Sequence, residues 1–137
     1  MSILAILIAS VVQFIIGAIW YMPIFGKKWG EIHGMDKVPP EELKMMQKKM
    51  GPFFLLQFVM TVVTTVVLAI FITYLPSDWN VYALAFFFWI GFVVPTQVSA
   101  VVFGGTKFEW IFTKILIMAG GSLACLEAGA IIIKWMQ

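Results

Sequence analysis

Long apolar segments follow one another along the chain, separated by short polar stretches, and none of them alternates apolar with polar positions. The four segments cover residues 3–22, 53–75, 81–103 and 110–136. Each has about 20 residues or more, the length that an α-helix needs to cross a hydrocarbon core of roughly 30 Å. Transmembrane strands are shorter, about 9–11 residues, and do alternate. The pattern therefore predicts an all-α membrane protein in which residues 1–137 form a single four-helix transmembrane domain.

The connections between the segments contain turn-forming residues. Pro23 and Gly26 end the first segment, and the second and third connections are tight turns at residues 75–78 and 104–107. Helices joined by such short loops pack as antiparallel neighbours. We therefore expect helices two and three, and helices three and four, to lie side by side.

The first connection contains a predicted amphipathic helix over residues 40–50. Pro40 suits its first turn, because the missing N–H has no partner to lose there. Leu43, Met46 and Met50 share one face of this helix, and lysines occupy another side. We expect the helix to lie in the membrane interface. It is either a connector beneath the bundle or a site for lipid headgroups or a partner protein.

The composition fits a chain whose solvent is lipid. Hydrophobic residues make up 62% of the sequence and charged residues 12%, whereas a soluble domain has roughly 25% charged residues. All nine basic residues are lysines, and six of them lie between Lys27 and Lys49. The positive-inside rule places this lysine-rich loop, residues 23–52, and the loop at 104–107 in the cytoplasm. Both chain ends are then expected outside.

Several chemistries have no support in the sequence. The lysine cluster lacks the arginine forks and exposed basic face typical of nucleic-acid binding, so we expect no nucleic-acid partner. Cys125 is the only cysteine and His33 the only histidine, which leaves no intrachain disulfide, no metal-ligand spacing and no expected cofactor. The sequence has no nucleophile–base pair, phosphate loop or paired carboxylates. We therefore do not expect an enzyme.

Small and polar residues recur at helical spacing inside the apolar segments. Because membrane helices gain little from burying apolar groups against one another, such residues mark helix contacts. We expect one inward face on each helix: Ser10, Gln13 and Gly17 on helix one; Gln57, Thr61 and Thr64 on helix two; Phe92, Thr96 and Ser99, with Gln97 beside them, on helix three; and Gly120, Gly121, Ala124, Ala128 and Gly129 on helix four. The polar groups serve either as hydrogen bonds between helices or as the lining of a solute path.

Pro95 lies inside helix three, with Gly91 one turn earlier. A proline removes one backbone hydrogen bond and frees the carbonyl four residues before it, so a kink is expected. We assign Gly17, Gly91 and Pro95 to helix packing, together with the small residues of helix four. The freed carbonyl either has no further role or is exposed to a solute, as in transporters with interrupted helices.

Glu127 is the one carboxylate in the apolar part of helix four. It lies about seven residues from the outer end of the helix, hence roughly 10 Å deep, and shares a face with Gly120 and Ala124. A carboxylate at that depth costs about 3 kcal/mol or more. We therefore predict that Glu127 donates or accepts a hydrogen bond with Ser10 or Gln13. Its role is either proton or cation handling or helix packing.

Two stretches resemble a known family. Residues 17–29, Gly-Ala-Ile-Trp-Tyr-Met-Pro-Ile-Phe-Gly-Lys-Lys-Trp, and residues 89–96, Trp-Ile-Gly-Phe-Val-Val-Pro-Thr, are similar to motifs of the DUF1761 family of small, mostly bacterial membrane proteins. The resemblance implies a four-helix protein of the bacterial inner membrane. It implies no activity, because the family is one of unknown function, and Glu127 matches no feature of it. From their residue types, we expect Trp20, Tyr21 and Trp29 in the aromatic belt at the headgroup level.

Two functions are compatible with these features. The first is an oligomeric transporter or channel for a small solute or ion, which uses the polar helix faces and Glu127. The second is a non-catalytic accessory or scaffold subunit of a larger membrane complex. The expected partners are the lipid bilayer and either further copies of the chain or other membrane subunits.

Overall fold

The computed structural model describes the whole chain, residues 1–137, and contains helices and turns but no strands. Four helical stretches are long and apolar enough to cross a membrane, namely Ile3–Ile24, Gly51–Tyr74, Val81–Phe103 and Phe108–Trp135. They are called spans one to four below. The predicted class, an all-α membrane protein with four transmembrane helices, is confirmed.

The ends of the spans follow from local sequence. The Ser2 hydroxyl accepts a hydrogen bond from the Ala5 N–H at 3.2 Å and caps span one. The Asn80 side chain accepts one from the Tyr82 N–H at 2.8 Å and caps span three. Such side-chain oxygens satisfy backbone donors that have no partner inside the helix. Span two starts with Gly51 and has Pro52 in its first turn, where proline is tolerated.

The first connection is helical for most of its length. A short helix, Gly26–Ile32, follows span one, and a turn of 3₁₀ helix covers Met35–Lys37. The amphipathic helix is present at Pro40–Lys49, with two glutamates in its first turn and two lysines in its last. This charge order complements the helix dipole. Gly34 turns the chain between these helices with a φ of 70°, a conformation that favours glycine.

Spans one and three each contain a π-helical turn next to a proline. The turns cover Trp20–Ile24 and Trp89–Val93, with Pro23 inside the first and Pro95 just after the second. In each turn the tryptophan carbonyl accepts a hydrogen bond from the N–H five residues later. A π turn holds an extra residue, and this relieves the helix around a proline that has no N–H to donate. Just before Pro95, where the sequence predicts a kink, span three contains this π turn.

Span four is the centre of the packing, since it contacts each of the other three spans. Its neighbour span three is antiparallel to it, as predicted. Span one packs extensively against span four and also against span two, although it is separated from span four by most of the chain. Spans two and three meet mainly near their short connection, where the rings of Phe71 and Phe88 make an edge-to-face contact with centroids 4.9 Å apart.

The buried core lies in the half of the bundle nearest the chain ends. It comprises Ile6, Ala9, Leu68, Ala69, Ile72, Val81, Leu84, Ala85, Leu126, Ala130 and Ile133. In the other half, next to the lysine-rich loop, the other spans cover much less of span two than they do near the chain ends. All residues from 51 to 57 are exposed, and Leu55 is 65% exposed. The bundle is therefore closed at the chain ends and splayed at the lysine-rich end.

Candidate functional site

A buried amide joins spans one and two. Gln13 is 3% exposed, and its Nε2 donates to the Thr65 hydroxyl at 2.7 Å and to the Ala9 carbonyl at 3.2 Å. Thr65 is fully buried and donates onward to the Thr61 carbonyl at 2.7 Å. Ser10, also fully buried, donates to the Ile6 carbonyl at 2.7 Å. The sequence pattern placed Ser10 and Gln13 on an inward face correctly.

The same amide lies directly on Gly129 of span four. A Cβ atom at position 129 would be 2.7 Å from the Gln13 Nε2, a distance that Cβ atoms essentially never show. One turn earlier on span four, the Cys125 thiol donates to the backbone carbonyl of Gln13 at 3.4 Å. Gly129 therefore permits the close approach of spans one and four, as expected for a glycine in a membrane helix contact.

Trp20 packs across the paired glycines of span four. Its indole N–H donates to the Ile117 carbonyl at 2.8 Å. A Cβ at Gly120 would be 2.8 Å from the ring atom Cζ2, and one at Gly121 would be 2.9 Å from Cδ1. Trp20 is thus a packing residue between spans one and four, and its placement in the aromatic belt stays a prediction. Its N–H finds a carbonyl acceptor because the two glycines leave room for the ring.

A second tryptophan, Trp89 of span three, contacts the same turn of span four. The Trp89 N–H donates to the Ala119 carbonyl at 2.8 Å and to the Ser122 hydroxyl at 3.2 Å. The Ser122 hydroxyl shares its one proton between the Ala119 carbonyl at 3.0 Å and the Gln97 side-chain oxygen at 3.3 Å, and Gln97 donates to the Met118 carbonyl at 3.4 Å. Three consecutive carbonyls, those of residues 117–119, therefore accept hydrogen bonds from side chains of spans one and three.

We call Trp20, Trp89, Gln97 and Ser122 the tryptophan clasp, because Trp20 from span one and Trp89 and Gln97 from span three hold the turn of span four that contains Ser122. Only Gln97 was predicted as a polar contact between helices. Ser122 and Trp89 were missed as contact residues. The sequence contains one signal, since a proline follows each of the two tryptophans within six residues, Pro23 after Trp20 and Pro95 after Trp89.

Several residues predicted to face inward face outward instead. Gln57 and Thr64 of span two are exposed, and so are Phe92, Thr96 and Ser99 of span three. Within a single copy, these five residues do not face inward, contrary to the prediction. Thr61, which is half-buried, is the exception on span two.

The threonine hydroxyls need no partner on another helix, because each one forms a hydrogen bond within its own helix. Thr61, Thr64 and Thr96 each donate to the carbonyl four residues earlier, at 2.9, 3.1 and 2.7 Å. Such bonds satisfy the hydroxyl without a second helix. The side-chain amide of Gln57 makes no hydrogen bond at all.

The small residues divide into two groups. Gly120, Gly121 and Gly129 make the close contacts just described. Ala124 and Ala128 are half-buried beside them.

Gly17, Gly91 and Pro95 form the second group. A Cβ at Gly17 or Gly91 would have nothing within 4 Å, and Gly91 and Pro95 are exposed. These three residues therefore make no close helix contact within one chain, and their assignment to helix packing stays a prediction for contacts with another chain. Small size permits a close contact, but it does not create one where no neighbouring helix approaches.

Glu127 is half-buried and makes no hydrogen bond. Its Oε2 atom is enclosed by protein without a partner. The predicted bond to Ser10 or Gln13 is wrong, because both donors are engaged elsewhere, with Ile6 and with Ala9 and Thr65. An enclosed carboxyl oxygen without a donor is costly, so Glu127 is the least satisfied polar group of span four.

The aromatic residues at the lysine-rich end form a cluster of their own. The rings of Tyr21 and Trp29 are 4.8 Å apart in an edge-to-face arrangement. The ammonium of Lys114 lies 5.6 Å from the centre of the Trp29 ring, and that of Lys28 lies 5.4 Å from the Trp110 ring. These cation–π contacts tie the first loop to the start of span four. The placement of Tyr21 and Trp29 at the headgroup level stays a prediction.

Four apolar spans, a clasped central helix and polar contacts between spans define a small polytopic membrane protein of the helical-bundle class. More particularly, the chain belongs to the DUF1761 family. The family model, described as a protein of unknown function (DUF1761), matches residues 4–133. No curated protein and no solved structure matches the chain. The resemblance to this family is confirmed. Membership of the family assigns no activity to the chain.

Proposed function

We propose that the protein acts as a homo-oligomeric transporter or channel for a small solute or ion, with the path between copies rather than inside one. The observation that supports this most is Gln57. It is the sixth residue after Gly51, about 9 Å along the helix, and its amide is exposed and unbonded. An unpaired polar group in hydrocarbon costs several kcal/mol, about the cost of a lost hydrogen bond in an apolar medium. A second copy of the chain would supply partners.

The interior of a single copy is a poor candidate for a path. The Gln13–Thr65 pair and the tryptophan clasp use their polar groups on each other and on backbone carbonyls. A solute passing between them would have to break these bonds. The exposed polar residues of spans two and three, such as Thr64 and Thr96, have no such commitment to a neighbouring helix. A path between copies is therefore favoured.

Glu127 is our candidate for proton or cation handling. Ionisable groups in membrane spans are usually functional, and this carboxyl has no internal partner that would explain it as a packing residue. In the proposed orientation, both chain ends lie outside and the lysine-rich loop lies in the cytoplasm of a bacterial cell. Glu127 then belongs to the outer half of span four.

Proton flux tests this function. In proteoliposomes loaded with a pH-sensitive dye and given an imposed proton gradient, the wild-type protein should dissipate the gradient. Glu127→Gln keeps the shape of the side chain but cannot ionise, so we expect flux at least tenfold lower. Glu42→Gln, on the exposed side of the loop helix, is the matched control and should behave like the wild type. Flux equal to that of protein-free vesicles, or unchanged by Glu127→Gln, would contradict the proposal.

The second candidate function is an accessory or scaffold subunit of a larger membrane complex. It is favoured by span three, where Gly91, Pro95 and Ser99 are exposed and lie one turn apart on one face. A small-residue face of this kind suits close packing of a partner helix. In that case the chain would be isolated in a fixed ratio with a different polypeptide, and proteoliposomes containing this chain alone would show no flux.

A further inference from the structure

A polar cavity lies at the lysine-rich end, between the first and third loops. Its volume is about 550 Å³, and only two of its twelve lining residues are hydrophobic. Gly34 and Gly105, both with positive φ, shape the two loops that border it. Trp110 and Lys114, at the start of span four, form another part of the wall. The cavity therefore lies at the end of apolar span four, which is where a membrane helix is expected to meet the lipid headgroups.

Charges of both signs line this cavity. Three lysines from separate segments face it, Lys37, Lys107 and Lys114. Three carboxylates do so as well, Glu31, Asp36 and Glu109. Their arrangement decides which ligand the cavity suits.

Most of these charges are not neutralised by the protein. The only ion pair of the structure joins Lys28 to Glu31 at 3.1 Å. The three cavity lysines, together with Asp36 and Glu109, thus have no ion-pair partner. Beside Lys107, the enclosed hydroxyl of Thr106 also makes no hydrogen bond. The cavity has an excess of uncompensated ammonium groups together with two uncompensated carboxylates, which is a poor match for a simple anion or a simple cation.

We infer that this cavity binds a phosphoethanolamine group, with the lysines on the phosphate and the free carboxylates on the primary amine. Lysine ammonium groups bind phosphate oxygens as point charges. A primary ammonium donates three hydrogen bonds, which carboxylates accept. A quaternary choline has no N–H to donate. The aromatic faces that attract choline are already occupied here, because Trp29 and Trp110 each hold a lysine ammonium.

The position of the cavity favours the headgroup of a phospholipid as the source of this group. A water-soluble phosphoethanolamine ester has the same chemistry. The two sources differ in one respect, because the lipid is held in addition by its acyl chains against the exposed apolar surface of the spans. That difference can be measured with defined ligands.

Native mass spectrometry of the full chain in mild detergent tests the inference. Phosphatidylethanolamine, phosphatidylcholine and phosphatidylglycerol with identical acyl chains are added one at a time, and soluble O-phosphoethanolamine is added separately. We expect at least fivefold more bound phosphatidylethanolamine than either other lipid. Binding of O-phosphoethanolamine alone would support the cavity chemistry with a soluble source. Equal retention of all three lipids, without binding of the soluble ester, would overturn the inference.

Charge variants locate the binding. Lys37→Gln combined with Lys107→Gln should remove the preference for phosphatidylethanolamine. Glu109→Gln should reduce it and raise retention of phosphatidylglycerol, because one negative charge is lost. Lys44→Gln lies on the exposed loop helix outside the cavity and is the matched control. The substituted residues Lys37, Lys107 and Glu109 are exposed, so the fold should persist. An unchanged preference in the double lysine variant would overturn the inference, whatever the proton flux shows.

Discussion

Replacing Gly120 and Gly121 together with alanine is expected to lower the free energy of unfolding by about 2–4 kcal/mol, the cost of overpacking a tight contact and losing a hydrogen bond. Both new Cβ atoms would fall within 3 Å of the Trp20 ring, at 2.8 and 2.9 Å. The ring is wide and rigid, so it cannot bend around them. Its displacement would break the bond from Trp20 to the Ile117 carbonyl.

Denaturant unfolding in detergent micelles measures this change. Gly17→Ala is the matched control, because it is also a glycine in a membrane span and its new Cβ would meet nothing within 4 Å. Alanine has the higher helix propensity, so the control should be neutral or slightly stabilising. Equal stability of the Gly120–Gly121 variant and the control would show that Trp20 does not depend on the glycine pair.

Gly129→Ala should destabilise the contact between spans one and four by about 1–3 kcal/mol, the usual cost of overpacking. Here the new Cβ would lie 2.7 Å from the Gln13 amide nitrogen. The amide would have to leave Thr65, to which it is bonded at 2.7 Å. Because Gln13 is 3% exposed, no solvent replaces the lost partner.

A double-mutant cycle with Gln13→Ala separates this effect from a general loss of packing. In the Gln13→Ala background the amide is absent, so Gly129→Ala should cost at least about 1 kcal/mol less than in the wild type, within the range measured for coupled neighbours. The same unfolding assay reports all four proteins. Strict additivity of the two substitutions would mean that Gly129 contacts something other than Gln13.

The spans themselves were predictable because length and hydrophobicity determine them. A stretch of about 20 apolar residues has few alternatives to a membrane helix. Turn residues such as Pro76 and Gly104 then mark where one span ends and the next connection begins. The position of span one against span four was not predictable in this way, since no short loop joins them and the contact depends on how all four helices assemble.

The direction in which a polar face points was only partly predictable. In water, apolar residues mark the inside of a helix, but lipid is as apolar as a protein core and removes that contrast. Ser10 and Gln13 were therefore placed correctly by a rule that failed for Thr64 and Thr96. Their hydroxyls bond their own helix, and nothing in the sequence distinguishes this from a bond to a neighbour.

Trp20 shows a related limit of prediction from sequence. A tryptophan near the end of an apolar segment is typical of the aromatic belt, and that rule favoured the headgroup level. The structure shows in addition that its ring packs on Gly120 and Gly121, about one hundred residues later in the chain. The glycine pair and the tryptophan are each visible in the sequence, but their contact is not.

We propose that copies of this chain meet through the exposed polar faces of spans two and three. The mass of the native assembly, extracted from membranes in mild detergent, tests it most directly. We predict an integral multiple of the chain mass, two copies or more, with no other polypeptide. A single copy at every protein concentration, or a fixed-ratio complex with a different protein, would contradict it.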